Sequence, residues 1–295
     1  MKIFKNTDIN FIGKRKIALY FSLMFIFCGL ISLIVKGGPL LSIDFTGGTL
    51  AQIKFSDEIV IEKLRDSLID TKFKNAEIIE FGSPNEILLK VQYLGTNSDF
   101  KSNLKSILNQ NFEIRRLESV GPKIGKELRS DARNAILIAL MLIGIYITFR
   151  FDRFYAYGSV VAILHDILIT FGIFSLLNIE IDLHIIAAFL TIVGYSLNDT
   201  IVVFDRIREN FVKHGRESIE TIVNISINST LSRTVITSLT TFLVVLILFL
   251  LGGEVIKNFA FALIIGVLIG TYSSIYVASP VMIYFEKKNI AKNKK

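Results

Sequence analysis

Tryptophan is absent from these 295 residues, cysteine occurs once and proline four times. Each shortage excludes something. The one cysteine, Cys28, permits no intrachain disulfide and no cysteine-built metal site. So few prolines leave no Pro-rich linker. Without tryptophan, aromatic anchors at a membrane surface must come from the 24 phenylalanines and 9 tyrosines. The polar part of the chain holds no nucleophile–base pair and no set of metal ligands, so neither a cofactor nor a metal is expected.

What is abundant is apolar sequence, 52% of residues, gathered into long runs. About 20 apolar residues cross a bilayer core as a helix, so run length sets the class. The runs lie at 17–35, 134–149, 154–178, 183–204, 233–252 and 258–285. The first is too long for a signal peptide and lacks a small-residue cleavage site after it, so it reads as a retained anchor. The gaps at 179–182 and 253–257 are tight turns. The gap 205–232 is longer and polar, and its charged segment Arg206–Arg216 reads as a cytoplasmic helix or loop with a solvated or interfacial face.

The net charge of +7 suits nucleic acid at first sight. The basic residues sit beside the apolar runs, however, which assigns them to membrane lipids and orientation. Lys2, Lys5, Lys14, Arg15 and Lys16 precede the first run. Arg150 and Arg153 separate the second from the third. Arg206, Arg208, Lys213 and Arg216 follow the fourth, and Lys287, Lys288, Lys292, Lys294 and Lys295 follow the last. The opposite turns hold Lys257 beside Glu180, Asp182 and Glu254. This bias predicts both termini, 1–16 and 286–295, in the cytoplasm and residues 36–132 outside.

Residues 36–132 read as strand 43–55, helix 58–70, strands 76–81 and 86–94, helix 98–110 and strand 112–120. The order βαββαβ predicts an α+β, ferredoxin-like extracytoplasmic domain. The expected fold class is therefore an all-α six-helix transmembrane bundle carrying that domain.

Ionisable residues inside membrane runs are costly, roughly 2.5–3.5 kcal/mol each, and mark function by default. Three places qualify. Asp199, in Asn198-Asp199-Thr200, precedes Arg206 by about 10 Å of helix and so lies within the core. It reads either as a proton carrier or as a packing aspartate bonded to a neighbouring hydroxyl. Arg233 opens the fifth run. It either reaches toward Asp199 or snorkels to the interface as an anchor. His165-Asp166 lies midway along the third run. It is either a relay or a satisfied polar pair, closed on itself or on Thr170 or Thr191. Gly266 and Gly270 form a small-residue packing face. Asp44-Phe45-Thr46-Gly47-Gly48 opens a strand, so its glycines suit a bulge or close backbone contact rather than a phosphate cradle.

Several segments carry a resemblance. Ile43-Asp44-Phe45-Thr46-Gly47-Gly48 follows the first run. Val120-Gly121-Pro122 and Gly125-Lys126-Glu127-Leu128 lead into the second. Val193-Gly194-Tyr195-Ser196-Leu197-Asn198-Asp199-Thr200-Ile201-Val202-Val203-Phe204-Asp205-Arg206-Ile207-Arg208-Glu209-Asn210 fills the fourth; Leu197 is a mild variant at a flanking position. Leu231-Ser232-Arg233-Thr234 and Gly270-Thr271-Tyr272-Ser273-Ser274 complete the set. Together they resemble the SecF family, the smaller half of the SecDF export factors in the RND superfamily. The resemblance implies one RND-type half-bundle in the bacterial inner membrane, with SecD as a separate subunit. It implies work beside the SecYEG channel, drawing exported polypeptides outward with the proton-motive force and without catalytic chemistry. The family's proton-pathway aspartate and arginine fall on Asp199 and Arg233. Two other classes remain for comparison: a small-solute proton antiporter, and an intramembrane aspartyl protease using Asp166 and Asp199.

Overall fold

The computed structural model describes residues 7–92, 95, 97–108 and 111–293. Tyr93 and Leu94 of the predicted strand 86–94, Asn109 and Gln110 of the predicted helix 98–110, and Lys2, Lys5, Lys294 and Lys295 lie outside the described residues. The chain divides into two units, Leu41–Asn134 on one hand and Met1–Leu40 with Ala135–Lys295 on the other.

A single 3-10 turn, Ile12–Lys14, leads into α1 (Arg15–Val35). The smaller unit follows: α2 (Ile43–Thr46), β1 (Gly48–Phe55), α3 (Ile61–Leu68), β2 (Glu77–Phe81), β3 (Ser83–Val91), α4 (Asn97–Ile107) and β4 (Phe112–Val120). The strands form one sheet in the order β2-β3-β1-β4, with every neighbouring pair antiparallel. Period-two patterning turns Ala51, Ile53 and Phe55 of β1 to the face that buries Leu64 and Leu68 of α3 and Phe100 and Leu104 of α4. Phe73 and Phe100 close that core edge to face, with ring centres 5.4 Å apart.

The predicted strand 43–55 is corrected at its start. Residues 43–46 make one helical turn, because the Ser42 hydroxyl caps it by accepting from the Asp44 amide at 3.2 Å. Gly47 at φ +75° then turns the chain into β1. Gly47 and Gly48 lie against other backbone: an added Cβ would come within 2.9 Å of Pro122 Cα and 2.8 Å of the Val91 carbonyl.

The division between units falls within α5 (Pro122–Arg150). After it come α6 (Arg153–Leu176), α7 (Leu183–Lys213), α8 (Ile219–Leu251) and α9 (Glu254–Ser273). A π turn, Ser274–Ala278, joins α9 to α10 (Ser279–Asn293). Among the described residues, six helical segments are long and apolar enough to cross a membrane: Ile12–Val35, Pro122–Arg150, Arg153–Leu176, Leu183–Lys213, Ile219–Leu251 and Val255–Lys292.

The polar gap 205–232 is mostly helix, since α7 continues to Lys213 and α8 begins at Ile219, capped by Ser218 on the Thr221 amide. Charge alone does not stop a helix when one face stays apolar: Ile207, Ile222, Val223 and Ile227 remain buried. The run 258–285 is helical throughout but changes pitch at the π turn, where the Ser279 hydroxyl bonds the Ser274 carbonyl at 3.0 Å.

The helices are not equally covered. Within an apolar 18-residue stretch of each helix, about half of the residues are buried in α6, α7 and the α9–α10 segment, against 17% in α1, 11% in α8 and 6% in α5. The three covered helices are thus the centre of the bundle. Small residues permit the close approaches. An added Cβ on Gly29 of α1 would lie 2.5 Å from Gly172 Cα of α6. One on Gly266 of α9 would strike Ile192 of α7, and one on Gly270 would meet Ser196. The segment before α1 is tied to α8: Asn224 Oδ1 accepts from the Phe11 amide at 2.8 Å, and Asn228 Oδ1 from the Ile9 amide at 3.0 Å.

Candidate functional site

Asp199 sits on the buried stripe of α7, 2% exposed. Successive helical residues are turned by about 100°, so its neighbours diverge. Thr200 is buried and bonds the Ser196 carbonyl, whereas Asn198 is exposed. Asn198 therefore does not join the carboxylate. Asp199 Oδ2 lies 3.4 Å from the Ser238 hydroxyl of α8 and 3.3 Å from the Thr271 hydroxyl of α9. Those two hydroxyls are 2.7 Å apart, and the Thr271 hydroxyl is 2.8 Å from the Val267 carbonyl.

Arg233 is exposed, and among the described residues it forms no ion pair with Asp199. In this arrangement hydroxyls of α8 and α9, and not Arg233, are the groups within bonding distance of the carboxylate. Near Arg233, the Thr234 hydroxyl is buried with no hydrogen-bond partner among the described residues.

His165 and Asp166 form a second polar centre on α6, 5% and 1% exposed. His165 Nδ1 is 2.9 Å from Asp166 Oδ1. Asp166 Oδ2 accepts from Ser196 of α7 at 2.5 Å and Ser273 of α9 at 2.8 Å. His165 Nε2 is 2.9 Å from Ser22 Oγ of α1. Thr170 and Thr191 are not the partners. Thr170 shares the same helix and bonds the Asp166 carbonyl, and Thr191 bonds the Ala187 carbonyl on an exposed face. Four helices thus converge on one carboxylate–imidazole pair.

Gly266 and Gly270 admit α7 to this region, and Ser196, opposite Gly270, bonds Asp166. Asp44, Phe45, Thr46, Gly47 and Gly48 belong to the smaller unit, where Gly125 packs against Gly47 and Phe45. Ser22, Ser196, Ser238, Thr271, Tyr272 and Ser273 were not singled out as site residues from the sequence. Only Ser196, one helical turn before Asp199, carried a local signal; the others lie on different helices and are brought in by the packing. No group of three or more metal-ligand side chains converges among the described residues.

A bundle of six membrane-length helices with two carboxylates shut inside it defines a multi-pass membrane protein whose chemistry is charge held away from water. Residues 99–288 match the family described as protein export membrane protein SecD/SecF, C-terminal. The protein translocase subunit SecF of Rhodothermus marinus is 44% identical, the alignment covering 100% of this chain and 98% of that one. That of Desulfurispirillum indicum is 43% identical over 96% of this chain and 93% of the relative. The crystal structure of SecDF from Thermus thermophilus, titled a translocon-associated membrane protein, superposes with a TM-score of 0.85 at 40% identity over 96% of this chain. A SecDF structure in the super-membrane-facing form gives 0.72 at 38% identity over 99%. This chain spans 39% and 40% of those two SecDF chains. The chain belongs to the SecF family of protein translocase subunits.

Proposed function

We propose that this chain is the SecF half of a SecDF-type assembly in the bacterial cytoplasmic membrane, with SecD as a separate subunit. It works beside SecYEG, uses the proton-motive force to help draw exported polypeptides outward, and performs no catalytic chemistry. Residues 36–132 form a ferredoxin-like domain outside, a reading supported by the β2-β3-β1-β4 antiparallel order. Both termini are cytoplasmic, supported by the lysine and arginine bias. The partnership is supported by the thin coverage of α5 and α8 and by Asn198 and Arg233, polar groups exposed at helix faces that lipid alone serves poorly.

The observation that carries the reading is the hydroxyl setting of Asp199. Ser238 and Thr271 have one proton each. The two short contacts, to each other and to Val267, take both protons and leave a protonated Asp199 as the donor to a hydroxyl. With Asp199 charged, the same hydroxyls turn toward it. Both charge states are served without a cation in contact, as a proton carrier requires. A change of donor direction across α7, α8 and α9 then biases the packing of three helices. One charge crossing the membrane field supplies about 2.3 kcal/mol per 100 mV, roughly fiftyfold in a two-state equilibrium.

Asp166 and Asp199 have separate hydroxyl partners, which gives an aspartyl-protease pair no support. The test is export into vesicles with and without an imposed proton gradient. Asp199→Asn keeps the volume and the hydrogen bonds of the neutral state but ends the charge cycle. It is expected to assemble and to lose the gradient-dependent part of export. A gradient response equal to that of the unchanged protein would overturn the assignment.

A further inference from the structure

The polar centre on α6 extends as one chain of contacts. From Asp166 Oδ1 it runs to His165 Nδ1 at 2.9 Å and from Nε2 to Ser22 Oγ at 2.9 Å. It continues to Tyr272 Oη at 2.9 Å and ends at the Ala18 carbonyl at 2.7 Å. A carbonyl only accepts, so the end of the chain fixes its direction. Tyr272 gives its single proton to Ala18. Ser22 must then give its own to Tyr272, and has none left for the imidazole. Nε2 must therefore carry a proton and donate to Ser22.

Nδ1 meets Asp166, and that contact also needs one proton. It is satisfied by imidazolium beside carboxylate or by neutral imidazole beside carboxylic acid. The two forms hold the same number of protons. We propose that the His165–Asp166 pair is a proton-binding site, distinct from Asp199, that holds one proton beyond the neutral-imidazole, ionised-carboxylate state. The bound proton latches α1 to the centre of the bundle through Ser22 and Tyr272.

Removal of that proton leaves Nδ1–H donating to the carboxylate and Nε2 bare. Ser22 then donates to Nε2, Tyr272 donates to Ser22, and the Ala18 carbonyl loses its donor. The chain reverses at two hydroxyls, and one bond holding α1 is lost. Oδ2 stays satisfied by Ser196 and Ser273 in either state, so the change is directed along the chain toward α1.

The groups facing the imidazole are few. Asp166 lies on its own helix, Ser22 on α1, and the Tyr272 ring of α9 stacks on it with centres 6.0 Å apart. From α7, Ser196 faces the carboxylate, with Asp199 three residues further along. His165 and Ser22 also line a mainly apolar cavity of about 1030 Å³ between α1, α6 and the α9–α10 segment. Tyr276 and Tyr284 share its wall, and Arg15, Lys16, Glu220, Lys287 and Lys288 line it as well. Asp199 is not among the residues of that wall.

The chain has three histidines. His184 and His214 are exposed, so His184→Gln with His214→Gln leaves His165 as the only imidazole without touching the core. Solid-state nitrogen NMR of the histidine-labelled protein in lipid bilayers then reads both ring nitrogens of one residue across pH. The expected result is a protonated Nε2 at neutral pH. A bare Nε2 with the proton on Nδ1 would overturn the proposal. Tyr272→Phe removes the directing donor and lets Ser22 donate to Nε2. It is expected to shift the appearance of bare Nε2 to lower pH. An unmoved titration in Tyr272→Phe, with the protein still folded by size-exclusion, would show that Ala18 does not set the direction and would equally sink the latch. Neither result depends on export, so failure here and failure of the Asp199 assignment are separate.

Discussion

Ser238 and Thr271, from α8 and α9, stand 2.7 Å apart and close over Asp199 of α7. A charged carboxylate and a neutral carboxyl can each be bonded there, while Arg233 stays at the exposed edge. Replacing Asp199 removes the group that these hydroxyls bond, whereas replacing Arg233 removes a charge outside that contact, so the two changes are expected to differ in consequence.

Arg233→Met is expected to leave the hydroxyl pair in place and to weaken, not abolish, gradient-driven export. It removes a through-space attraction that favours the charged aspartate. Asp199→Glu keeps the carboxylate but lengthens it by one methylene in a packed site, and is expected to retain part of the activity. Both are read in the vesicle export assay. Export in Arg233→Met as low as in Asp199→Asn would show that direct contact forms during the cycle.

Gly29 and Gly172 cross with no room for a side chain. Gly29→Leu or Gly172→Leu is expected to destabilise the seating of α1 by about 1–3 kcal/mol, the usual range for overpacking. Thermal stability in mild detergent measures it. Gly194→Ala is the control, because an added Cβ there meets nothing within 4 Å.

The orientation is checked with cysteines in a Cys28→Ser background. Ser98→Cys is expected to react with an impermeant thiol reagent on cells whose inner membrane is intact and accessible. His214→Cys is expected to react only after permeabilisation. The reverse pattern would invert the topology and the direction of proton entry.

Asn198 and Thr240 are exposed on α7 and α8. Asn198→Trp and Thr240→Trp are expected to reduce the SecD that co-purifies in mild detergent, several-fold, while the chain itself remains monodisperse. Undiminished recovery of SecD with both variants would move the interface to α5.

The helices were legible because bilayer thickness forces long apolar runs, and the succession of strands and helices in the smaller unit was legible in part, with alternation marking β4 at Phe112–Leu117. What was not legible had local causes. The turn at 43–46 depends on the Ser42 cap, and an apolar Ile-Asp-Phe pattern reads equally as strand. The continuation of α7 to Lys213 is hidden by its charged residues, although Ile207 and Asn210 stay buried. The two aspartates stood out as charges in apolar sequence. Their partners did not, because a serine in a membrane helix is unremarked until another helix brings it within 3 Å. Arg233 was drawn toward Asp199 by opposite charge, and only the rotation of α8 shows that Ser238 arrives first.

The two asparagines of α8 that hold the segment before α1 also set an order of assembly. Asn224 is separated from Phe11 by 213 residues. At ribosomal speeds of about 5–20 residues per second, roughly 10 to 40 s pass before the second partner exists. During that interval α1 has entered the membrane while the peptide preceding it has nowhere to dock. The two asparagine contacts can therefore form only after α8 has been made, so the segment before α1 is among the last parts of the bundle to be fastened.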